Sequence, residues 1–254
     1  MSAAVFEIAE RADVGFDRAA VFKPVGDCGL LVEFGTQIDE HVTRRVLQLD
    51  EAITRANLPG VIEAIVAYTS LLIIFDTQVA DYEELISEVS RLASAPVAPR
   101  KTSRRWRVPV TYGGPFGLDL DEAESQLGLS RAELIAAHAD AEYTVAMFGF
   151  LPGFAYLSGL PSHLTLPRRS SPRVRIFSGS IAIGGSQTAI GSIEGPSGWN
   201  VIGRTPLRTF DVERFPATIF EPGDQVRLEP ISIEQFHELF ARASTGETVA
   251  VRVA

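Results

Sequence analysis

Glycine and arginine are concentrated between residues 149 and 206 of this 254-residue chain. The stretch is under a quarter of the sequence but holds about half of its 21 glycines. Because glycine permits positive φ and close backbone approach, this density indicates a backbone that crowds a ligand, another chain or its own tight turns. Guanidinium groups favour a carboxylate or a phosphate as the ligand. The arginines of the stretch are Arg168, Arg169, Arg173, Arg175 and Arg204.

His138 and a proline–glycine turn could also take part in chemistry. His138 lies late in a predicted helix over 130–139, beside its buried face. It could hold a substrate amide or relay a proton near neutral pH, or it could be a structural histidine bonded to a carbonyl. The pair Pro152-Gly153 must turn an apolar strand. That turn either points the amides of Gly153 and Phe154 at an anion or caps a hydrophobic core.

Three more side chains near the arginines are candidates for ligand contact. Tyr156 offers a hydroxyl, Gln187 an amide for a ring amide or carboxylate, and Trp199 an aromatic platform. Gln187 could equally be a strand-edge residue, and Trp199 a core residue.

In an acidic chain the arginines need counter-charges, which could come from its own carboxylates, a partner chain or a ligand phosphate. We expect Arg168, Arg173 and Arg204 to converge on one pocket of the second domain. Gly153 and Gln187 should line the same pocket. No cluster of cysteine and histidine has metal-ligand spacing, so the sequence predicts no protein metal site.

Five ordered motifs resemble the KipI family, which includes the B subunits of bacterial 5-oxoprolinase (PxpB) and proteins labelled allophanate hydrolase subunit 1. The resemblance is strong over about the last 150 residues and weaker over the first 100. The motifs are FGFLPGFAYLSGLP at 148–161, PRRSSPRVRIFSGSIAIGGSQT at 167–188, GWNVIGRTP at 198–206, RVPVTYGG at 107–114 and FEPGDQVRLEPIS at 220–232.

This resemblance implies a subunit that completes its active site with other proteins. The reaction would be the ATP-dependent opening of 5-oxoproline to glutamate, with ATP, as its magnesium complex, as co-substrate. The partners would be a larger KipA- or PxpC-type subunit and a third, PxpA-type subunit. Such a site needs cations for phosphates, for which the candidates are Arg168, Arg173 and Arg204. It also needs donors for the ring carboxylate, for which the candidates are Gln187, His138 and the amides around Gly153.

Two other functions stay open. One is a KipI-like inhibitor of a sensor histidine kinase, which predicts an exposed apolar patch and no dependence on ATP. The other is allophanate or urea-derivative chemistry of the urea carboxylase type. The chain also departs from the family pattern at Phe177-Ser178 and at 193–199, where Glu194 adds a negative charge, and this bears on the substrate more than on the fold.

The elements that position these residues predict an α+β protein of two domains. A leader spans 1–18. Strand and helix signals over 19–99 give the order βαββαβ of a ferredoxin-like domain, if the next strand, 106–112, is its last. An Ala/Pro/Ser-rich linker follows, and the second domain spans 104–254. Its short apolar segments between Gly/Pro turns predict a β-rich unit, and the resemblance implies a cyclophilin-like β-barrel.

Composition narrows the function classes further. Net charge is −9, which argues against a nucleic-acid binder, and no apolar run has the length of a membrane helix. A basic run at 100–107 interrupts the acidic background and is best explained as a solvated linker. Cys28 is the only cysteine, which favours a cytoplasmic location. The chain has neither a GxxxxGK[ST] loop nor a GxSxG nucleophile, so it is expected to be inactive alone.

Overall fold

The computed structural model describes residues 19–96 and 104–253, which form two large β-sheets with separate hydrophobic cores. The strands of the first sheet are β1 (Val21–Val25), β2 (Gly29–Glu33), β3 (Val61–Val66) and β4 (Ser70–Phe75). They are antiparallel, with spatial order β1-β2-β4-β3. Two helices, α1 (Glu40–Ala56) and α2 (Tyr82–Ala93), pack together and cover the core of this sheet.

Local signals explain both helices of this first unit. The side chain of Asp39 accepts hydrogen bonds from the amides of His41 and Val42, which starts α1. Asp81 caps α2 in the same way. The apolar faces of both helices pack against the sheet, whose strand β4 alternates buried and half-buried residues.

The predicted fold class, α+β with a small α/β unit before a β-barrel, is confirmed. One element of the predicted order is in a different place. The strand after α2, β5 (Arg105–Tyr112), pairs in the second sheet and not in the first. The fourth strand of the first sheet is instead β1, which pairs with β2 over Val21–Val25. The βαββαβ order therefore becomes ββαββα before the barrel begins.

The second sheet closes into a seven-stranded barrel with an eighth strand at its edge. Besides β5, its strands are β6 (Tyr143–Phe148), β7 (Ala155–Ser158), β9 (Ser180–Gly184), β10 (Gln187–Ile190), β12 (Asn200–Arg204), β13 (Gln225–Pro230) and β14 (Val251–Val253). The spatial order is β12-β9-β10-β7-β6-β13-β5-β14, and pairing of β12 with β5 closes the ring. Strand β5 runs parallel to β13, whereas its other edge pairs antiparallel with β14 and then β12.

Strand alternation divides the barrel residues between an inner core and an outer face. On β9, Ile181 and Ile183 belong to the inner core, whereas Ala182 belongs to a separate outer cluster. A two-stranded ribbon of β8 (Arg173–Ile176) and β11 (Gly195–Ser197) supplies Ile176 to this outer cluster. The outer face of β7, β9, β10 and β12 is therefore partly covered by chain from 148–199.

Three helices accompany the barrel: α3 (Leu120–Leu127), α4 (Arg131–Asp140) and α5 (Ile233–Ser244). Capping boxes start α4 at Ser130 and α5 at Ser232. None of the described helices is both long and apolar enough to cross a membrane.

Tyr68 joins the first unit to the barrel. Its hydroxyl donates to the carbonyl of Leu157 at 3.3 Å, and its ring meets Tyr156 edge-on at 6.2 Å. The predicted leader 1–18 and the linker after residue 96 lie outside the described residues. The boundary between units at 99–104 therefore stays a prediction.

Candidate functional site

Most of the predicted ligand-contact residues meet on the outer face of the barrel. Phe154, Tyr156 and Trp199 form an aromatic cluster there. Their ring centroids lie 4.9 Å apart for Phe154 and Tyr156, and 5.7 Å apart for Tyr156 and Trp199. The guanidinium carbon of the exposed Arg168 lies 5.8 Å from the Trp199 ring. This is a cation–π arrangement, so Trp199 is at once a packed residue and a platform for charge.

Gly184 explains why the indole of Trp199 lies so close to the sheet. A Cβ built on Gly184 would come within 2.5 Å of the ring, closer than real Cβ contacts. The glycine therefore keeps the space that Trp199 occupies. Gly184 pairs with Gln187 across the β9–β10 hairpin, and Gln187 shares a strand face with the outer-cluster residue Ala189. Gln187 thus lies at the edge of the aromatic cluster.

Several hydrogen-bond donors of this cluster have no partner among the described residues. Within 19–96 and 104–253, nothing forms a hydrogen bond with the Tyr156 hydroxyl, the Trp199 indole nitrogen or the side-chain amide of Gln187. No carboxylate in these ranges pairs with Arg168. Burial raises the pKa of Tyr156, and Arg168 opposes part of that rise. The phenol therefore stays protonated at neutral pH and is available as a donor. A cation, a phenol, an indole N–H and an amide on one face suit a ligand that carries a carboxylate or phosphate.

Arg173 lies in a different arrangement from the predicted one. Its two terminal nitrogens donate to the carboxylate of Asp119 at 2.6 and 2.7 Å. Asp119 is buried, and it also accepts from Arg169 and from the amide of Val201 at 2.7 Å. One carboxylate thus ties Arg169 and Arg173 to the start of β12. The guanidinium of Arg173 is therefore bound to a carboxylate of the chain itself. Asp119 is one of the counter-charges that the arginines need.

Arg204 contacts different groups from those that Arg168 and Arg173 contact. Its Nε donates to the carbonyl of Ser178 at 2.8 Å. Its guanidinium stacks on phenylalanine rings of the β8–β9 turn and of α5. The three arginines therefore have separate partners, and their expected convergence on one pocket stays a prediction.

His138 is fully buried in the barrel interior. Its Nδ1 lies 2.9 Å from the Tyr112 hydroxyl, and its Nε2 lies 3.1 Å from the hydroxyl of Thr188. Thr188 in turn donates to the carbonyl of Ala182, so Nε2 carries the proton and Tyr112 donates to Nδ1. Burial lowers the pKa of His138 to about 3. Both ring nitrogens are thus used inside the core, and the geometry favours the structural interpretation over the catalytic one.

The segment 149–154 turns sharply, as the sequence predicts. The amide of Leu151 bonds to the carbonyl of Gly149 at 2.8 Å around Phe150, whose φ is 69°. This is a γ-turn with positive φ at a non-glycine residue, a strained conformation. It leaves the Phe150 ring largely exposed. The amide of Phe154 is bonded to Leu151, contrary to expectation, whereas that of Gly153 has no partner in the described part of the chain.

The aromatic cluster lies on the outer face of the barrel, with Phe154 and Trp199 buried and Tyr156 half-buried. Clefts of about 630 and 540 Å³ lie elsewhere, one beside β4 and α2 and the other between α4 and β13. Neither contains Arg168, Tyr156 or Trp199. Among the described residues, no group of three or more His, Cys, Asp or Glu side chains could hold a metal ion.

Two residues of this region were not singled out from the sequence. Asp119 holds Arg169 and Arg173, but its position at the start of α3 indicates only a helix cap. Tyr68 reaches the cluster from the first unit, 88 positions before Tyr156. Neither has a local signal, because both act through contacts distant in sequence.

A family described as "Carboxyltransferase domain, subdomain C and D" matches residues 20–220. The B subunit of 5-oxoprolinase from Bacillus subtilis (strain 168) is 37% identical over 225 residues, covering 84% of this chain and 93% of that protein. The chain belongs to the family of 5-oxoprolinase B subunits. The family member from Escherichia coli O157:H7 is 33% identical and covers 81% of this chain and 94% of that protein.

Solved structures share the fold of this chain. PH0987 from Pyrococcus horikoshii is 40% identical, with a TM-score of 0.52 over 85% of this chain and all of that one. TTHA0988 is 33% identical, with a TM-score of 0.71 over 80% of this chain, which spans only 40% of the TTHA0988 chain. The K. lactis urea amidolyase shares the fold, with a TM-score of 0.77 at 19% identity over 97% of this chain and 17% of its own.

Proposed function

We propose that this chain is the B subunit of an ATP-dependent 5-oxoprolinase in the cytoplasm. The observation that carries the proposal is the similarity to the 5-oxoprolinase B subunits of two bacteria over more than nine-tenths of their length. The relatives are named as subunits, and the exposed Arg168 beside the aromatic cluster is consistent with a site that another protein completes. The expected partners are a larger KipA- or PxpC-type subunit and a PxpA-type third subunit.

The reaction explains what the face must bind. Opening a lactam is uphill unless the amide oxygen is first phosphorylated. The γ-phosphoryl group of ATP moves to that oxygen, one water adds to the ring carbon, and the C–N bond breaks to leave the free amine and an acyl phosphate. A second water then releases phosphate from the acyl phosphate and leaves the carboxylate. The products are glutamate, ADP and phosphate. Catalysis therefore needs cations at the phosphoryl group and donors at the ring carboxylate.

Arg168 is the proposed cation of this chain, because it is exposed over Trp199 and has no carboxylate partner in the described ranges. Tyr156 and Gln187 are the proposed donors to the ring carboxylate, together with the Gly153 amide. Arg173 is assigned to holding the loop through Asp119 and not to ATP. His138 is assigned to the barrel core.

Reconstitution tests the proposal. Purified chain is mixed with the companion subunits of the same organism, ATP, magnesium and 5-oxoproline, and released glutamate is measured. We expect ATP-dependent glutamate only when the companions are present. Substantial release by the chain alone would contradict the shared site, and no release by the full mixture would contradict the assignment.

The two alternatives predict different results in the same assay. A histidine-kinase inhibitor would bind its kinase without ATP hydrolysis; the exposed rings of Phe150 and Phe177 suit that function as well as an interface with a companion. Urea-derivative chemistry rests on the fold it shares with urea amidolyase. Turnover of allophanate or urea in place of 5-oxoproline would favour the latter.

A further inference from the structure

Arg204 lies in a cage of phenylalanine rings, none of which belongs to the aromatic cluster. Its guanidinium carbon is 5.0 Å from the ring of Phe177, 5.5 Å from Phe236 and 5.4 Å from Phe240. The three rings come from the β8–β9 turn and from two successive turns of α5. A cation in such a cage is held rigidly by stacking, since the rings limit its side-chain rotamers.

Only part of the hydrogen-bonding capacity of the Arg204 guanidinium is used. Nε donates to Ser178, but neither terminal nitrogen has a partner in the two described ranges. Glu194 is the acidic residue that acts on Arg204 electrostatically, and it forms its own ion pair with Arg175. Burial lowers the pKa of Arg204, because the charge is partly removed from water. A half-buried guanidinium with free N–H groups is suited to receive an external carboxylate.

Exposed apolar surface surrounds the same guanidinium. Phe177 is 45% exposed, Phe240 is 40% exposed, and Ile233 on the same helix is 45% exposed. Phe236 is buried and forms the floor of the cage. An arginine among aromatic rings, partly desolvated and ringed by apolar side chains, is typical of the energetic centre of a protein–protein interface.

We propose that Arg204, Phe177, Phe236 and Phe240 form a docking surface for a partner protein that inserts a carboxylate flanked by apolar side chains. The inference rests on the proposed function, which supplies the partner: the larger companion subunit. Charge complementarity indicates that the partner group is a carboxylate. The terminal N–H groups of Arg204 can donate to both oxygens of a carboxylate, and no acceptor in the described residues binds them. The rings then exclude water from the ion pair.

Affinity for the larger companion subunit, measured by titration calorimetry, tests the docking surface. Arg204→Ala should weaken binding at least tenfold, and Phe240→Ser, a change at an exposed ring, should weaken it several-fold. Arg227→Ala is the matched control, since Arg227 is an exposed arginine on β13. It should bind as the wild type does. Circular dichroism melting identifies any variant that fails to fold. If Arg204→Ala fails to fold, the affinity of Phe240→Ser decides the test.

The possible outcomes separate this inference from the proposed function. Wild-type affinity in both Arg204→Ala and Phe240→Ser overturns the docking surface and leaves the 5-oxoprolinase assignment intact. No binding of the wild type to the companion overturns the assignment and this inference with it. If sedimentation shows that the wild type self-associates and Arg204→Ala does not, the surface binds a second copy of this chain, and the inference is overturned. At saturating companion, a raised KM for ATP or 5-oxoproline in Arg204→Ala overturns it in favour of a substrate contact.

Discussion

Arg173 donates a hydrogen bond from each terminal nitrogen to the carboxylate of Asp119, and the two residues lie 54 positions apart in the chain. The pair joins the start of β8 to the beginning of α3. The same carboxylate accepts from Arg169 and from the backbone at Val201. A single buried acid thus fixes the chain on one side of Trp199, and the face that we propose as the site depends on it.

Removing that acid should destabilise the protein. Asp119→Ala leaves two partly buried guanidinium groups and the Val201 amide without their acceptor. We expect a loss of about 3–5 kcal/mol in the free energy of unfolding, measured with urea. Glu122→Gln is the control, because Glu122 reaches Arg169 from the surface, where its side chain is 55% exposed. Its loss should be at most about 1 kcal/mol, and equal losses in the two variants would contradict the role of Asp119.

Most elements of the fold could be predicted because their signals are local. Asp39 and Asp81 begin helices, and the Ser130 and Ser232 capping boxes are visible as four-residue patterns. The place of β5 could not be predicted in the same way. It pairs with β13 about 120 residues later, and only that pairing removes it from the first sheet.

The candidate site could be predicted as a set of residues but not as an arrangement. Tyr156, Arg168 and Trp199 are in motifs, and the structure brings them together through the registers of β7, β9, β10 and β12. Arg173 and Arg204 are in the same motifs yet lie in other surroundings. Neighbouring arginines in a sequence do not show which carboxylate each one meets, since that partner lies far along the chain.

Gly184→Ala should move the Trp199 indole. The added Cβ would lie within 2.5 Å of the ring, so the ring or the strand must shift. We expect a changed Trp199 fluorescence emission, a cost of about 1–3 kcal/mol in unfolding free energy and lower activity of the reconstituted complex. Gly198→Ala is the matched control, because its Cβ would make only ordinary contact with Pro172. Unchanged emission in Gly184→Ala would show that Trp199 does not need the glycine.

Burial of His138 makes stability depend on pH. Its pKa is about 3 in the folded protein, against about 6.5 when unfolded. Between these values the unfolded chain binds a proton that the native protein does not, so the free energy of unfolding falls as pH falls through this window. The contribution is complete above about pH 6.5. By about pH 5 the wild type should lose about 2 kcal/mol through this residue, measured by urea unfolding.

His138→Gln isolates this effect. The variant should be less stable at neutral pH, because a buried network loses its centre, but it should lack this part of the pH dependence. His163→Gln changes an exposed histidine and should keep the wild-type slope. Parallel wild-type and His138→Gln slopes would assign the acid sensitivity to other groups.

Limited proteolysis tests the proposed boundary between the two units. Each sheet has its own core, and the chain between α2 and β5 is rich in alanine, proline and serine. We expect the first cleavage within 94–103, giving two fragments that resist further digestion. A chain cut first inside either core, with this segment intact, would mean that the units are not separable there.

Arg168 provides the most direct test of the central claim, that the face around Arg168, Tyr156 and Trp199 is this chain's half of a 5-oxoprolinase site. The measurement is steady-state glutamate release by the reconstituted complex, with ATP and 5-oxoproline varied separately. We predict that Arg168→Ala raises the KM for one of them roughly tenfold or more, as loss of a charge-assisted contact should. Arg168→Lys should recover part of this, and urea unfolding should be unchanged because no described carboxylate pairs with Arg168. Wild-type KM and kcat in Arg168→Ala, with the complex fully assembled, would contradict the account.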